Sequence, residues 1–357
     1  MPSSPYIVFM ARKSVDTRTI GHGRRPAYEP ELYDDEPPFM LWLISILLLL
    51  LTIAPYLLGD ALIELEVFVA QPLLRLLMLF AACACAALAL YRIEYIAAIL
   101  PGICFVFLLF ETWGSIGHAP MADVPAGRSR YLHVYSQNIG MESPEDFIGL
   151  LAEGTYDLVL LQEAYVGHRK GWEVLAEQLG YEHSFHMLRH DAGMGVFFMS
   201  RMPMAPLPTL AVQSWGRTRR YLPGVQIEFR QKKVDVYAVH LESLPLVEGK
   251  RMIMGSSALR RNQAEILTAV VEDSPRVIVA GDFNAAPLYR STAPLRDELD
   301  DAWIEGGWGF GFTYHASFAF ARIDAILQNG FDCEYAEVVR VSDSDHRGLY
   351  AVLELDN

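Results

Sequence analysis

Six short polar clusters, each beside an apolar run, carry the residue types of acid–base and metal chemistry. Tyr131 to Gln137 stops at Asn138, Leu158 to Leu161 at Gln162-Glu163, Val234 to Val239 at His240, and Val277 to Ala280 in Gly281-Asp282-Phe283-Asn284. Arg322-Ile323-Asp324 opens the run Ala325-Ile326-Leu327, and Ser344-Asp345-His346 precedes Leu349 to Leu355. Singly, each has an ordinary explanation: Asn138 as a turn residue, Glu163 and Asp282 as solvated loop acids, His240 as a satisfied core histidine, Asp345-His346 as a surface turn. Together they form a different inventory. Carboxylates and an amide are hard oxygen ligands suited to Mg²⁺, and histidines beside acids move protons near neutral pH. Metal-assisted hydrolysis of a phosphoester needs that set.

Such groups cooperate only if one end of a sheet gathers them. Short apolar and β-branched runs of this kind are read as strands buried on one or both faces, so clusters at their ends can converge on a sheet edge. They fall within residues 131–357, about 227 residues, which suits one domain with a substantial core. No internal repeat is visible there. Residues 114–130, bearing Gly, Pro and Ala, read as a linker into this domain.

In their order and spacing, Gln137-Asn138-Ile139, Leu161-Gln162-Glu163, His240-Leu241, Gly281-Asp282-Phe283-Asn284, Arg322-Ile323-Asp324 and Ser344-Asp345-His346 resemble the endonuclease/exonuclease/phosphatase superfamily, whose fold is like deoxyribonuclease I. The resemblance runs from about residue 131 to residue 355. Gly193-Met194-Gly195-Val196 leading into Ser200-Arg201-Met202-Pro203, and Arg261-Asn262-Gln263 opening a helix, look like its connecting elements. It implies an α+β fold, a four-layer α/β/β/α sandwich of two mixed sheets with helices outside. Carried over residue by residue, it makes Glu163 the principal ligand of Mg²⁺ (or Mn²⁺), with Asn138 and Asp345 helping to hold the ion or its waters. His346, oriented by Asp324, becomes a general base or electrostatic partner. Asp282 and Asn284 position the nucleophile and donate to a phosphoryl oxygen, and His240 binds phosphate or assists the leaving group. DNA-grasping insertions of the nucleases that act on abasic sites are not recognisable.

The remainder of the chain was shaped by a different solvent. Of all 357 residues 52% are hydrophobic and 20% charged, which excludes a disordered or collagen-like chain. Residues 1–38, mixing Pro, Gly and Arg and ending in an acidic cluster, read as a disordered cytoplasmic tail. Residues 39–113 read as a membrane domain. Phe39 to Leu58 is twenty residues without a charge, the length that crosses about 30 Å of hydrocarbon. Residues 73–90, with Ala81 to Ala87 all small, and residues 95–113 form two further spans joined by a tight turn. Glu64 and Glu66 mark the stretch from Leu62 to Ala70 as interfacial. Arg12, Lys13, Arg18, Arg24 and Arg25 precede the first span and Arg92 sits in the later turn, which places the amino terminus in the cytoplasm. Three crossings then deliver residues 131–357 outside it, a multi-pass protein of the cell membrane. Cys83, Cys85 and Cys104 lie in the apolar part, and Cys333 stands alone, so the polar domain forms no internal disulfide.

The net charge of −14 lowers the expectation of duplex binding. An anchored domain outside the cytoplasm meets lipid-linked phosphates, and the arrangement resembles the membrane-anchored branch that includes the teicoplanin-resistance phosphatases, which implies a polyprenyl pyrophosphate substrate. Trp215-Gly216-Arg217-Thr218-Arg219-Arg220-Tyr221 interleaves cations and aromatics, nominating Arg217, Arg219 and Arg220 as substrate-binding residues. The same segment suits a nucleic-acid backbone with stacked bases, so a tethered nuclease is the alternative reading. A third is a non-catalytic binding domain, against which the intact Glu163, Asp282, Asn284, Asp324, Asp345 and His346 argue.

Overall fold

The two halves of the sequence fold by different rules, the first as helices and the second as sheets. The computed structural model describes residues 39–57, 66, 72–91, 95–120, 123–125, 127, 129–188, 193–214, 219–243, 250–340 and 343–356. The expected tail at residues 1–38, the segment 215–218 with Arg217, and all of the interfacial stretch except Glu66 lie outside these residues.

Helices α1 (Phe39–Leu57), α2 (Pro72–Tyr91) and α3 (Tyr95–Gly114) fall within one residue of the expected spans. Met78, Ala82, Cys104 and Leu108 are buried between α2 and α3 together with Leu48 of α1, and Ala82 and Ala89 are wholly covered. Small side chains are thus where the helices approach. Arg75 of α2 and Glu111 of α3 meet at 2.9 Å, both buried. Among the described residues only Leu74–Tyr91 is long and apolar enough to cross a membrane; the apolar runs Phe39–Ile53 and Ala98–Gly114 are shorter. By that measure the three expected crossings reduce to one candidate span.

Beyond Tyr131 the apolar runs become strands, because they are rich in β-branched residues and are buried on both faces. In chain order these are β1 (Tyr131–Asn138), β2 (Leu158–Tyr165), β3 (His183–Leu188), β4 (Met194–Ser200), β5 (Met204–Pro206), β6 (Gly224–Phe229), β7 (Lys232–His240), β8 (Val277–Asp282), β9 (Asp300–Asp301), β10 (Asp324–Asn329), β11 (Phe331–Val339) and β12 (Gly348–Leu355). One sheet has the order β11-β12-β1-β2-β4-β3 and the other β9-β10-β8-β7-β6-β5. In each sheet the two central strands are parallel and every other pair is antiparallel. Alternation within a strand builds the layers. Leu158 and Leu160 of β2 point inward against Val236, Ile278 and Ile326 of the opposite sheet. Val159 and Leu161 point outward to Trp172, Leu175 and Ala176 of helix α4 (Arg169–Gln178). On the far side Tyr237, Val239 and Val279 pack under Ala264, Leu267 and Val271 of α5 (Lys250–Val271). The result is the expected α/β/β/α sandwich, one difference being that α5 begins at Lys250, so Arg261-Asn262-Gln263 lie inside that helix rather than at its start.

The segment expected to be a linker takes part in the fold. Gly117 and His118, just after α3, pair antiparallel with Gly309 and Trp308.

Candidate active site

Two parallel strand pairs, one in each sheet, end at the same edge of the sandwich and set the site. In the first, Asn138 of β1 lies opposite Gln162 of β2; in the second, His240 of β7 lies opposite Asp282 of β8. Asp324 opens β10 directly across from Asp282, and His346 stands just before β12.

Local backbone devices then turn the side chains inward. Glu163 sits on a β-bulge between Gln162 and Ala164 with φ of 57°, a left-handed conformation that costs a non-glycine residue of order 1 kcal/mol or more. The bulge removes Glu163 from the alternation of β2 and frees it for the site. Gly281 (φ 140°) makes the close approach that only glycine permits, since a Cβ there would lie 2.1 Å from the Val239 carbonyl oxygen. Asn284 is also left-handed, at φ 50°, and its side chain folds back onto Asp282.

The hydrogen bonds are shared across the two sheets. Asn138 Nδ2 donates to Asp282 Oδ2 at 3.1 Å and to Glu163 Oε1 at 3.3 Å, while its Oδ1 accepts from the Gly140 amide at 3.1 Å. Asp282 also accepts from the Asn284 amide at 2.8 Å and from Asn284 Nδ2 at 3.0 Å. His240 Nε2 lies 3.5 Å from Glu163 Oε1 and 3.6 Å from Asp282 Oδ2. His346 Nδ1 and Asp324 Oδ2 are 2.9 Å apart, which leaves His346 Nε2 facing Asp282 at 3.8 Å. A buried carboxylate that fixes an imidazole, beside a second acid held by two amides, is the equipment of proton transfer at an anionic centre.

The sequence profile of the Endonuclease/Exonuclease/phosphatase family matches residues 135–346, which include this entire constellation. The chain belongs to that family. As an endonuclease/exonuclease/phosphatase enzyme it is a hydrolase acting on phosphoester bonds. One solved structure agrees on the fold, and two others are neighbours of lower similarity. The endonuclease/exonuclease/phosphatase from Bacteroides vulgatus covers 63% of this chain and 99% of its own at 16% identity and a TM-score of 0.50. Humanized TDP2 of D. rerio gives 18% identity, 63% and 99% coverage and a TM-score of 0.45. Beta toxin of Staphylococcus aureus gives 17%, 62% and 99%, and 0.48. No curated protein matches significantly in sequence.

A metal ion fits this family site on the structure's own terms. Ligand atoms of Asp282, Asp324 and His346, all buried, lie within 4.8 Å of one another and could hold one. Asp324 Oδ1 is buried without a hydrogen-bond partner, a costly state that a cation or its water would relieve. Burial raises the pKa of Asp282, and Asp324 adds to the effect while His346 opposes it. Burial works against the charged form of His346, but Asp324 and Asp282 outweigh it and hold its pKa well above the ordinary value. The site thus concentrates negative charge around one imidazolium.

Seven of the expected residues come together: Asn138, Glu163, His240, Asp282, Asn284, Asp324 and His346. Asp345 is exposed at the margin; its backbone carbonyl accepts from the Ala316 amide at 2.7 Å. The metal-capable group in the structure, Asp282, Asp324 and His346, also differs from the set Glu163, Asn138 and Asp345 that the resemblance nominates. Of the three arginines, Arg219 opens a short strand, and Arg220 is half-buried with Nη1 3.3 Å from Glu242 Oε2. Sequence reasoning missed the support around the site. Thr313 Oγ1 accepts from the Ile323 and Asp324 amides, Ser344 Oγ donates to the Asn138 carbonyl at 2.7 Å, and Tyr314 bridges to His346 with ring centroids 5.0 Å apart. Thr313-Tyr314, polar in a run of glycines and aromatics, was the available signal.

Proposed function

We propose that this phosphoesterase hydrolyses a lipid-linked phosphate or pyrophosphate at an extracytoplasmic membrane surface, held there by its helical region, in which α2 is the candidate span. One observation carries the reading: a single aromatic segment joins the end of the helical region to the catalytic histidine. Trp308 and Gly309 pair with His118 and Gly117, a few residues after α3, and five residues later Tyr314 bridges to His346. Between and beyond these points Trp308 (66% exposed) and Phe318 (78% exposed) stand open beside Phe310 and Phe312, around a 450 Å³ groove that Arg347 also lines. Aromatics exposed next to a membrane helix suit the bilayer interface, and a groove lined by them and by Arg347, the residue after His346, suits a hydrocarbon chain with a phosphate head.

In this reading Glu163 and Asn138 would hold Mg²⁺ or Mn²⁺ beside Asp282, and the ion would polarise the phosphoryl oxygens. Asp282, held by the Asn284 amide and side chain, orients the attacking water and receives its proton. His346, kept charged by Asp324, stabilises the charge that builds on the phosphoryl group, and His240 binds the phosphate from the other side. Asp345 remains at the rim as a weaker contributor of charge. Arg220 adds a cation to the phosphate path, with Arg217 and Arg219 in the same segment. The likeness to the membrane-anchored branch with the teicoplanin-resistance phosphatases belongs to this proposal.

The test uses the full chain in detergent with Mg²⁺ or Mn²⁺, comparing polyprenyl pyrophosphate, a phospholipid and single- and double-stranded DNA, with Glu163→Ala as the blank. Turnover of a lipid phosphate with DNA inert is the expected result. DNA cleavage with all lipids inert would replace this reading by that of a tethered nuclease.

A further inference from the structure

Glu66 stands in the stretch between the first two helices, 194 positions before Arg260, yet its carboxylate is buried in the catalytic half. It accepts from Arg260 Nη2 at 2.5 Å, from Ser291 Oγ at 2.6 Å and from the Ser291 amide at 2.9 Å. Arg260, on α5, is 0% exposed. Its other donors reach Ser291 Oγ at 2.8 Å, Ser257 Oγ at 3.1 Å and the Glu242 carbonyl at 2.6 Å. These contacts tie down both loops that carry the second sheet's contribution to the site. Glu242 lies two residues after His240, and Ser291 follows the Asp282-Phe283-Asn284 turn. The Glu242 carboxylate in turn accepts from Ser214 Oγ at 2.7 Å and pairs with Arg220, whose Nη1 has no hydrogen-bond partner. Glu163 is among the charges acting on Arg220.

We infer that Glu66 is a positioning residue of the enzyme: through Arg260 it fixes Glu242, and so holds Arg220, its ion-pair partner, in place as a donor for the phosphate group. The anchor region is then more than a tether, since it supplies one partner of a buried ion pair to the support of the active site. Arg260 donates in several directions at once with planar geometry, which lysine cannot reproduce. This inference rests on the phosphoesterase site alone, so failure of the lipid assay leaves it standing.

The experiment uses the full chain in detergent with Mg²⁺ and reads three quantities: the melting temperature, the affinity for inorganic phosphate by calorimetry, and KM and kcat for bis(4-nitrophenyl) phosphate. Glu66→Gln keeps the shape and one acceptor but removes the charge. Phosphate affinity is expected to fall about tenfold, with KM raised in parallel where the ester turns over, and kcat within about twofold. Arg220→Gln should give the same signature. The double variant Glu66→Gln/Arg220→Gln should be no worse than Arg220→Gln alone, because the two residues act in one chain. Glu66→Asp should recover part of the affinity. If Glu66→Gln misfolds, Glu66→Leu/Arg260→Met removes both charges and is expected to melt near the parent temperature while still binding phosphate weakly. Unchanged phosphate affinity in a folded Glu66 variant, or losses that simply add to those of Arg220→Gln, would overturn the inference.

Discussion

The helical hairpin and the sandwich both bury charge, but they use it differently. Between α2 and α3, Arg75 and Glu111 face each other in apolar surroundings, and several of their polar atoms have no hydrogen-bond partner beyond the pairing itself. At the sandwich edge, Asp282 accepts five hydrogen-bonding or charge-assisted approaches, from the four residues Asn138, Asn284, His240 and His346, drawn from both sheets. The first arrangement holds two helices in register. The second holds a surplus of negative charge open to a cation and a phosphate. Buried charge in the hairpin is therefore architectural, and in the sandwich it is chemical.

The comparison is sharpest where it predicts opposite phenotypes. Glu163→Ala should lower turnover about 1,000-fold, about 4 kcal/mol, and abolish the response to added Mg²⁺, with the melting temperature of the metal-free chain unchanged. A large fall in melting temperature would show the site acids to be architectural after all. Glu111→Leu should do the reverse, destabilising the helical region by about 3 kcal/mol through an unpaired Arg75, while Arg75→Met/Glu111→Leu recovers most of the loss. Thermal unfolding in detergent separates the two.

Asp324→Asn should cost about 100-fold in turnover, since it removes the group that orients and charges His346. It should also alter stability with pH. A histidine whose folded pKa is raised contributes stability that is complete below its unfolded value of about 6.5 and lost as pH climbs through the raised one. The metal-free parent should therefore lose melting temperature above about pH 6.5, and Asp324→Asn or His346→Gln should flatten that part of the curve. The smallest effect belongs to the surface: Trp308→Ser/Phe318→Ser should lower turnover of a lipid phosphate about tenfold and leave a water-soluble ester untouched. Equal losses on both substrates would mean that the aromatics support the fold.

Much of the site was legible because its signals are local. A β-branched run that halts at Asn138, Glu163, His240 or Asp282 announces both the strand and what its end presents. Some of the strands that went unread are short or half-exposed: His183–Leu188 mixes His and Ser with apolar residues, and Met204–Pro206 is three residues long; Gly224–Phe229 and Phe331–Val339 went unread as well, with no cluster of catalytic residue types at their ends. Arg75 and Glu111 were legible in principle, since Arg75 lies as far before Arg92 as Glu111 lies after Glu94, which puts them at one depth in a hairpin. Nothing local marks Glu66 as the partner of Arg260, because that pairing is created by the tertiary fold. The left-handed backbone at Glu163 is equally silent in sequence, being imposed by the bulge against β4.

The matching sheets have one more consequence. Each repeats the same succession of pairings about a central parallel couple, so Asn138 and Gln162 in one, with Glu163 on the bulge just beyond, occupy the places of His240 and Asp282 in the other. The catalytic centre is therefore a seam between two halves, and its dimensions are set by how far one sheet slides over the other. Leu160 and Ile278, buried in the layer between the sheets, are among the side chains whose packing fixes that offset at a distance from the site.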